Sequence, residues 1–478
     1  MKLAALFPGH DIATAIEVKG LSADSRKVKP GFVFAALQGV SADGRDYIPQ
    51  ALENGAVAVI GKGLPSMEAA AAIEVDEPRL ALAVASAAFY ARQPETVVAV
   101  TGTNGKSSTV DFLRQIWEAA GLTSASMGTL GAIGPSGHID LGHTTPDPVA
   151  IHETLATLAG QGVSHCAMEA SSHGLVQYRL DAVKLAACAF TNLTQDHLDY
   201  HADMDEYRAA KLRLFADLMP QGAPAVVNAD SPERGAFEQA AKAAGLVPVS
   251  VGWRGEDLKI EELMPRATGQ KLFLKWRGEA CEVELPLIGE FQALNALTAA
   301  GLALSLGAPL ADVCKGMAAL QPVKGRLEFV GKTAEGAGVF VDYAHTPDGL
   351  DVLIRAARPH TAGNLVVIFG CGGDRDRKKR PLMGEVAARQ ADTVIVTDDN
   401  PRSEDPASIR KAILKAVPNG IEIADRAEAI RKAVAGLKAG DTLLIAGKGH
   451  ETGQIIGSTV TPFSDQETAA AALSEVDG

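Results

Sequence analysis

Residues Val97 to Val110 read VVAVTGTNGKSSTV, a short apolar strand that runs into a glycine-rich turn and then a helix. That order sets Gly102, Thr103, Asn104, Gly105, Lys106, Ser107 and Ser108 where the phosphates of a nucleotide sit. Glycines let the backbone approach the phosphates, amides at a helix N-terminus point at them, a lysine supplies point charge and a serine hydroxyl can ligate magnesium. The spacing is unusual: two residues separate Gly102 from Gly105, where a standard P-loop has four. The alternative is an ordinary strand-turn-helix with a surface lysine. The coincidence of an apolar strand, both glycines, Lys106 and the paired Ser107-Ser108 favours an ATP site.

From Val97 onward strands and helices alternate, which implies a parallel sheet covered by helices. Strands are expected near Val163 to Met168, Leu185 to Thr191 and Ala225 to Asn228, with helices over 106 to 120 and Glu206 to Leu218. The segment before Val97 mixes short strands with turns such as Lys29-Pro30-Gly31 and closes in an alanine-rich helix ending near Arg92-Gln93-Pro94. Pro322-Val323-Lys324-Gly325-Arg326 reads as a second linker, after which strands recur at Gly338 to Asp342, Leu365 to Gly370, Thr393 to Asp398 and Thr442 to Ala446. The expectation is an α/β chain of three domains: a small N-terminal α/β domain over 1–92, a central P-loop parallel sheet over 93–322, and a C-terminal Rossmann-like α/β domain over 323–478.

At 478 residues, 47% hydrophobic and 22% charged, the chain can bury several cores, about three at the usual domain size. Its formal charge of −13 argues against a nucleic-acid or membrane-surface binder, which selects basic faces. An anionic substrate must therefore meet a local basic pocket. The N-terminal apolar run is too short for a secretory signal and no run approaches a membrane span. Cys166, Cys188, Cys281, Cys314 and Cys371 form no CxxC pair and are odd in number, so they are expected to be reduced, small core residues. A cytoplasmic chain, taken as a monomer without nucleic-acid or membrane partners, is the expectation.

In the central domain the strand ending at Met168 delivers Glu169, placed to hold magnesium beside the P-loop, or else to cap the next segment. Another strand runs into Thr191-Asn192-Leu193-Thr194-Gln195-Asp196-His197-Leu198-Asp199-Tyr200-His201, where His197 is a second candidate ligand against the alternative of a structural histidine. In the last domain Asp342-Tyr343-Ala344-His345-Thr346-Pro347, Gly370-Cys371-Gly372-Gly373-Asp374-Arg375, Asp398-Asp399-Asn400-Pro401-Arg402 and Gly447-Lys448-Gly449-His450-Glu451 each follow a strand. Singly these are common turns. Four in succession point to a substrate pocket on one edge of the sheet, where ligands of such sheets bind.

Together these motifs resemble the Mur ligase family, the ATP-dependent amide-forming enzymes of bacterial peptidoglycan synthesis, over essentially the whole chain. The resemblance is greatest to members that add the third peptide residue to UDP-N-acetylmuramoyl-L-alanyl-D-glutamate, and Asp399-Asn400-Pro401-Arg402 is similar to the signature for meso-diaminopimelate over lysine. It implies that Ala23, Ser25, Val40, Ser41 and Ala42 contact the UDP part, and that His143, Thr144, Thr145, Ser171, Gln177 and Arg179 hold the muramoyl dipeptide. It implies ATP contacts from the glycine turn with Asn295, Arg326, Asp342 and His345. Magnesium would be held by Ser107, Glu169, His197 and Lys211, the last as a carbamate, since a desolvated lysine can react with carbon dioxide to give an anion. Lys106, Lys211, His197 and Glu169 are thereby the catalytic set. Arg375, Asp399, Asn400, Pro401, Arg402, Gly447 and Glu451 would hold diaminopimelate. Two positions depart from the family pattern: Gln292 stands where relatives tend to have asparagine, leaving Asn295 as the candidate for the ATP base, and His143 replaces an asparagine of some relatives.

The implied reaction phosphorylates a carboxylate with ATP and lets the acyl phosphate meet an amine, with positioning and electrostatics rather than a side-chain nucleophile doing the catalysis. Rivals within the family are a lysine-adding enzyme, disfavoured by Arg402, and a folate polyglutamate synthase, disfavoured by the Ser25 segment. A rival of another class is a nucleotide-dependent switch. It would need no four substrate loops, and the chain lacks an Asn-Lys-x-Asp guanine signature.

Overall fold

The computed structural model describes residues 1–10, 15–39, 42–194 and 200–477 and divides into two compact units, Met1–Lys259 with Leu297–Gly316, and Ile260–Ala296 with Met317–Gly478.

The first unit begins with a four-stranded parallel sheet in chain order, Gly20–Ser22, Phe32–Ala35, Ala56–Gly61 and Ala71–Glu74. Successive side chains of a strand point to opposite faces, and here they feed two cores. Val33, Ala35, Ala58 and Ile60 pack with Leu3, Leu6 and Leu82, whereas Phe34 and Val59 pack with Val28 and Ile48. The alanine-rich helix Pro78–Tyr90 stops at Ala91, which takes a left-handed φ of 52°.

In the following sheet, Val247–Gly252, Pro224–Asn228, Ala187–Phe190, Thr96–Thr101, His165–Glu169 and Ser124–Gly128 lie side by side, all parallel. Antiparallel strands Gly131–Gly134 and Gly137–Ile139 extend one edge. The glycine-loop strand is central, with Val100 opposite Glu169 and Thr101 opposite Phe190. Parallel register therefore brings the segments after Thr101, Glu169, Phe190 and Gly128 to one end of the sheet. The strands are apolar on both faces, as burial beneath helices requires.

The second unit carries a six-stranded sheet in the order Glu328–Lys332, Gly338–Asp342, Thr442–Ala446, Leu365–Phe369, Thr393–Val396 and Ile421–Glu422, antiparallel only at the first pair. Val367, Phe369, Val396 and Leu444 face one core, and Val366, Ile368, Ile395 and Ile445 the other. The four expected strands are present, so the loops after Asp342, Phe369, Val396 and Ala446 gather at the carboxyl edge. One hairpin has no counterpart in the sequence reading: Gly269–Trp276 pairs antiparallel with Glu279–Leu285 across Arg277 and Gly278, both at positive φ of 45° and 99°. A two-residue turn with that backbone matches strand twist.

One expectation needs correcting. Cys166, Cys188 and Cys371 are buried and free, but Cys281 and Cys314 are half-buried and in disulfide form, not reduced core residues. Their surroundings, an edge hairpin and a peripheral helix, leave side chains partly open to solvent. Among the described residues no helix is long and apolar enough to cross a membrane.

Candidate active site

The glycine turn is held from outside by the segment that follows Phe190. Thr103 N–H donates to Asn192 O at 2.8 Å and Asn104 N–H to Asn192 Oδ1 at 2.9 Å, while Thr191 Oγ1 and Asn192 Nδ2 both donate to Asn104 O. Gly102 sits at φ +151°, and a Cβ there would lie 1.9 Å from Thr191 Oγ1, so no other residue fits. Gly105, at φ 85°, opens the helix Lys106–Ala119 without a side-chain cap. The first-turn amides of such a helix are left for an anion.

Lys106 folds back across the turn, its Nζ donating to Gly102 O at 2.9 Å and Thr103 O at 2.8 Å. Lys211 reaches the same carbonyl, its Nζ donating to Gly102 O at 2.8 Å. Lys211 is 1% exposed and its ammonium lies 4.5 Å from the centre of the Tyr207 ring. It belongs to the helix Met204–Ala216, whose buried residues Tyr207, Ala210, Lys211, Leu214 and Phe215 recur at helical spacing. Lys211 therefore stands on the buried face of its helix rather than in solvent.

Glu169 ends its strand 2% exposed and accepts from Ser107 Oγ at 2.8 Å, from Thr129 N–H at 2.8 Å and from Thr129 Oγ1 at 3.3 Å. A Cβ on Gly128 would lie 2.1 Å from Glu169 Oε1, so this glycine makes room for the carboxylate. An adjoining hydroxyl and buried carboxylate are hard oxygen donors and fit magnesium. His197 lies outside the described residues, and among those described no cluster of three or more His, Cys, Asp or Glu is arranged for a metal.

Among the dipeptide candidates, Thr145 is bonded to this carboxylate's strand. Thr145 Oγ1 donates to Glu169 O at 2.9 Å and accepts from Ser171 N–H at 3.0 Å. Arg179 donates to Thr145 O, and its Nη2 to Gln177 Oε1 at 2.7 Å; Gln177 Nε2 in turn donates to Tyr200 OH at 3.1 Å. Thr144 Oγ1 lies 3.0 Å from Thr129 Oγ1. His143 is exposed and joins none of these bonds. Near the N-terminus Ser25 donates to Gln50 Oε1 at 2.6 Å, Ala23 and Ala42 are exposed, and Val40 and Ser41 lie outside the described residues.

In the second unit Asp342 accepts from Leu327 N–H at 2.6 Å and Ala344 N–H at 2.7 Å. Burial pushes its carboxyl above the usual range, opposed by the charge of Arg326, whose guanidinium lies 4.9 Å from the Tyr343 ring centre. His345 Nδ1 is 2.9 Å from Tyr343 O. Asn295 Nδ2 donates to Gln292 Oε1 at 3.1 Å, and Gln292 Nε2 to Arg326 O at 2.8 Å, so Gln292 is a buried strut between Asn295 and Arg326.

The loops of the carboxyl edge meet around Asn400. Its Nδ2 donates to Glu451 Oε2 at 2.8 Å, and its Oδ1 accepts from Lys448 Nζ and Ile455 N–H, each at 3.0 Å. Gly447 at φ +117° would set a Cβ 2.7 Å from Asp399 Oδ2. Arg402 adopts a left-handed φ of 51°, and its Nη1 donates to Gly373 O at 2.9 Å and Asn400 O at 3.4 Å. The carbonyl of Pro401 packs against Gly373, where a Cβ would come within 1.9 Å of it. Arg375 is exposed and bonds only the carbonyl of Asp374 among the described residues. Sequence reasoning gave no role to Thr129, Gly128, Asn192 or Lys448. Gly128 ends a strand and the others stand one or two residues beyond one, the one signal that marks them.

The folding of three α/β regions and this phosphate loop define the class. Profiles of the Mur ligase family match throughout: the catalytic domain at residues 17–118, the middle domain at 100–303 and the glutamate ligase domain at 325–449. The chain belongs to the Mur ligase family. Among its relatives is the UDP-N-acetylmuramoyl-L-alanyl-D-glutamate–2,6-diaminopimelate ligase of Mesorhizobium japonicum, 52% identical over 99% of this chain and 98% of the relative. The ligase of that name from Agrobacterium fabrum is 51% identical over 97% and 95%. A solved structure of a ligase of the same name superposes with a TM-score of 0.76 at 31% identity, covering 99% of both chains. A folylpolyglutamate synthase of Mycobacterium tuberculosis shares the fold at a TM-score of 0.62 and 20% identity, over 77% of this chain and 92% of that one.

Proposed function

We propose that this chain joins meso-diaminopimelate to UDP-N-acetylmuramoyl-L-alanyl-D-glutamate with hydrolysis of ATP to ADP and phosphate. Support comes from full-length relatives of that name at about half identity and, within the chain, from the Arg402 fork seated beside Asn400 and Glu451. The latter carries the assignment, because an arginine fork pairs a carboxylate bidentately and lysine lacks the second carboxylate that diaminopimelate offers.

A carboxylate is a poor electrophile. The D-glutamyl γ-carboxylate oxygen therefore attacks the γ-phosphorus of ATP, ADP leaves, and the acyl phosphate is attacked by the free amine of diaminopimelate; phosphate departs from the tetrahedral intermediate as the amine loses its proton. Lys106 turns from the Gly102 and Thr103 carbonyls to the phosphates and offsets charge during transfer, with the helix amides fixing their position. Ser107, Glu169, His197 and a carbamylated Lys211 would hold magnesium, which would supply further charge neutralisation during phosphoryl transfer. Thr144, Thr145, Ser171, Gln177 and Arg179 orient the dipeptide, and the segment carrying Ala23, Ser25, Val40, Ser41 and Ala42 receives the UDP part. Asn295, Arg326, Asp342 and His345 serve ATP, while Arg375, Asp399, Asn400, Pro401, Arg402, Gly447 and Glu451 take the amino acid. On this reading residues 1–92, 93–322 and 323–478 divide the labour, in a cytoplasmic monomer.

The test is release of ADP by the purified protein with ATP and magnesium, with each other substrate omitted in turn. Release that needs both the UDP-muramoyl dipeptide and diaminopimelate, with the tripeptide product seen by mass, supports the reading. Turnover indifferent to both overturns it.

A further inference from the structure

Lys448 is 0% exposed, yet it carries an ammonium group to where the Asn400 and Glu451 loops touch. The backbone is bent to put it there: Gly447 and Gly449 flank it at φ of +117° and +55°, and a Cβ on Gly449 would lie 2.6 Å from Tyr343 Cβ. Its Nζ donates to Asn400 Oδ1 at 3.0 Å and to Glu451 Oε2 at 3.2 Å. A lysine ammonium donates and never accepts. The oxygen of the Asn400 amide is therefore the end that faces Lys448 and Ile455 N–H, and the amide nitrogen is the end that faces Glu451. Every hydrogen bond that the Glu451 side chain makes among the described residues falls on Oε2.

Building on the diaminopimelate reading, we propose that Lys448 is a positioning residue that locks the Asn400 amide and the Glu451 carboxylate in one orientation, leaving Glu451 Oε1 to take a substrate ammonium. Lys448 does not touch the substrate. It acts through two side chains that do, fixing their orientation by its hydrogen bonds to Asn400 Oδ1 and Glu451 Oε2. A buried ammonium kept only for stability would be replaceable by an apolar side chain of equal length, since buried ion pairs are often no better than well-packed hydrophobic groups.

The experiment is steady-state kinetics of the full chain with Lys448→Met, Glu451→Gln and the double variant, after the wild type has been shown to use diaminopimelate. Misplacement of a binding group by about 1 Å costs on the order of a hundredfold. Lys448→Met should therefore raise KM for diaminopimelate about a hundredfold, with KM for ATP and for the UDP-muramoyl dipeptide held within about twofold. Because Lys448 acts partly through Glu451, the double variant should lose less than the sum of the two single losses in free energy, whereas independent effects would add. An unchanged KM for diaminopimelate, equal rises for all three substrates, or strict additivity overturns the inference. If Lys448→Met fails to fold by circular dichroism, Lys448→Gln decides: a rise of at least about tenfold in that KM alone is expected. Failure of both variants to fold makes Lys448 a structural strut and overturns the proposal. A wild type indifferent to diaminopimelate would instead sink the functional reading before Lys448 is reached.

Discussion

Arg402→Ala is the sharpest test of substrate choice, and the structure sets its size. Nη1 of Arg402 is already tied to Gly373 O and Asn400 O, so the guanidinium is ordered before any ligand arrives. A Cβ on Gly372 would lie 2.8 Å from that Nη1, so the fork also rests against glycine backbone. A bidentate pair with a carboxylate comprises two charge-assisted hydrogen bonds of about 1.5–3 kcal/mol each, or about 3–6 kcal/mol together. At about 1.4 kcal/mol per tenfold, truncation should lower kcat/KM for diaminopimelate by about 10² to 10⁴. Lysine, with no distal carboxylate, should change by no more than about threefold, so the preference for diaminopimelate collapses. The backbone needs a control, because Arg402 sits at φ 51°, where alanine is strained and glycine is not. Arg402→Gly should show the same kinetic loss as Arg402→Ala, and Arg402→Lys, which keeps charge without the fork, should recover only part of it. The assay is kcat/KM for both amines in all four proteins, with KM for ATP as the internal reference. An unchanged ratio of the two amines in Arg402→Ala, or a wild type that prefers lysine, refutes the argument.

Lys106→Ala should reduce phosphoryl transfer by about a hundredfold or more with the circular dichroism spectrum unchanged, and near-normal turnover in a folded sample would remove Lys106 from the phosphate site. Lys211→Ala should be nearly inactive and partly restored by added short-chain carboxylic acids that stand in for a carbamate; a wild type with no added mass at Lys211 and no response to carbon dioxide depletion rules the carbamate out. His152, 3% exposed and with no partner for Nε2 among the described residues, is held down to about 4 by burial from an ordinary value of 6.5. The unfolded chain therefore takes up the proton first, and stability is lost as pH falls from about 6.5 to about 4, by about 3 kcal/mol in all. Denaturant unfolding across that range should show a shallower loss in His152→Leu, and equal slopes in the two proteins would contradict burial of this imidazole as the origin.

What the residues revealed in advance follows from which signals are local. The glycine turn was legible because its strand, its positive-φ glycines and its helix lie within fourteen consecutive residues, 97 to 110. The carboxyl-edge loops were legible because each directly follows an apolar strand. Burial of Lys211 was expected only from the family resemblance, although the pattern itself holds it: Tyr207, Ala210, Leu214 and Phe215 mark an inward stripe and Lys211 stands on it. Lys448 and Thr129 had no such mark. Their roles arise from partners 48 and 40 residues away, which only the folded sheet brings close. The hairpin Gly269–Trp276 with Glu279–Leu285 escaped because its polar strands and Arg277-Gly278 turn resemble surface loop, while its alternation of buried and exposed positions is weak at the outer end.

The carbonyl of Gly102 accepts from both Lys106 and Lys211, and that shared acceptor makes each lysine sensitive to the state of the other. Phosphate that draws Lys106 away leaves Lys211 as the remaining lysine donor to that oxygen; a carbamate on Lys211 withdraws a donor and reverses a charge beside the phosphate loop. Binding free energies are reciprocal, so whatever factor the modification applies to nucleotide affinity, the nucleotide applies to the modification. On the proposed reading, in which Lys106 meets the phosphates and Lys211 carries a carbamate, dissolved carbon dioxide and ATP would act as coupled effectors of one another through the Gly102 carbonyl that both lysines share.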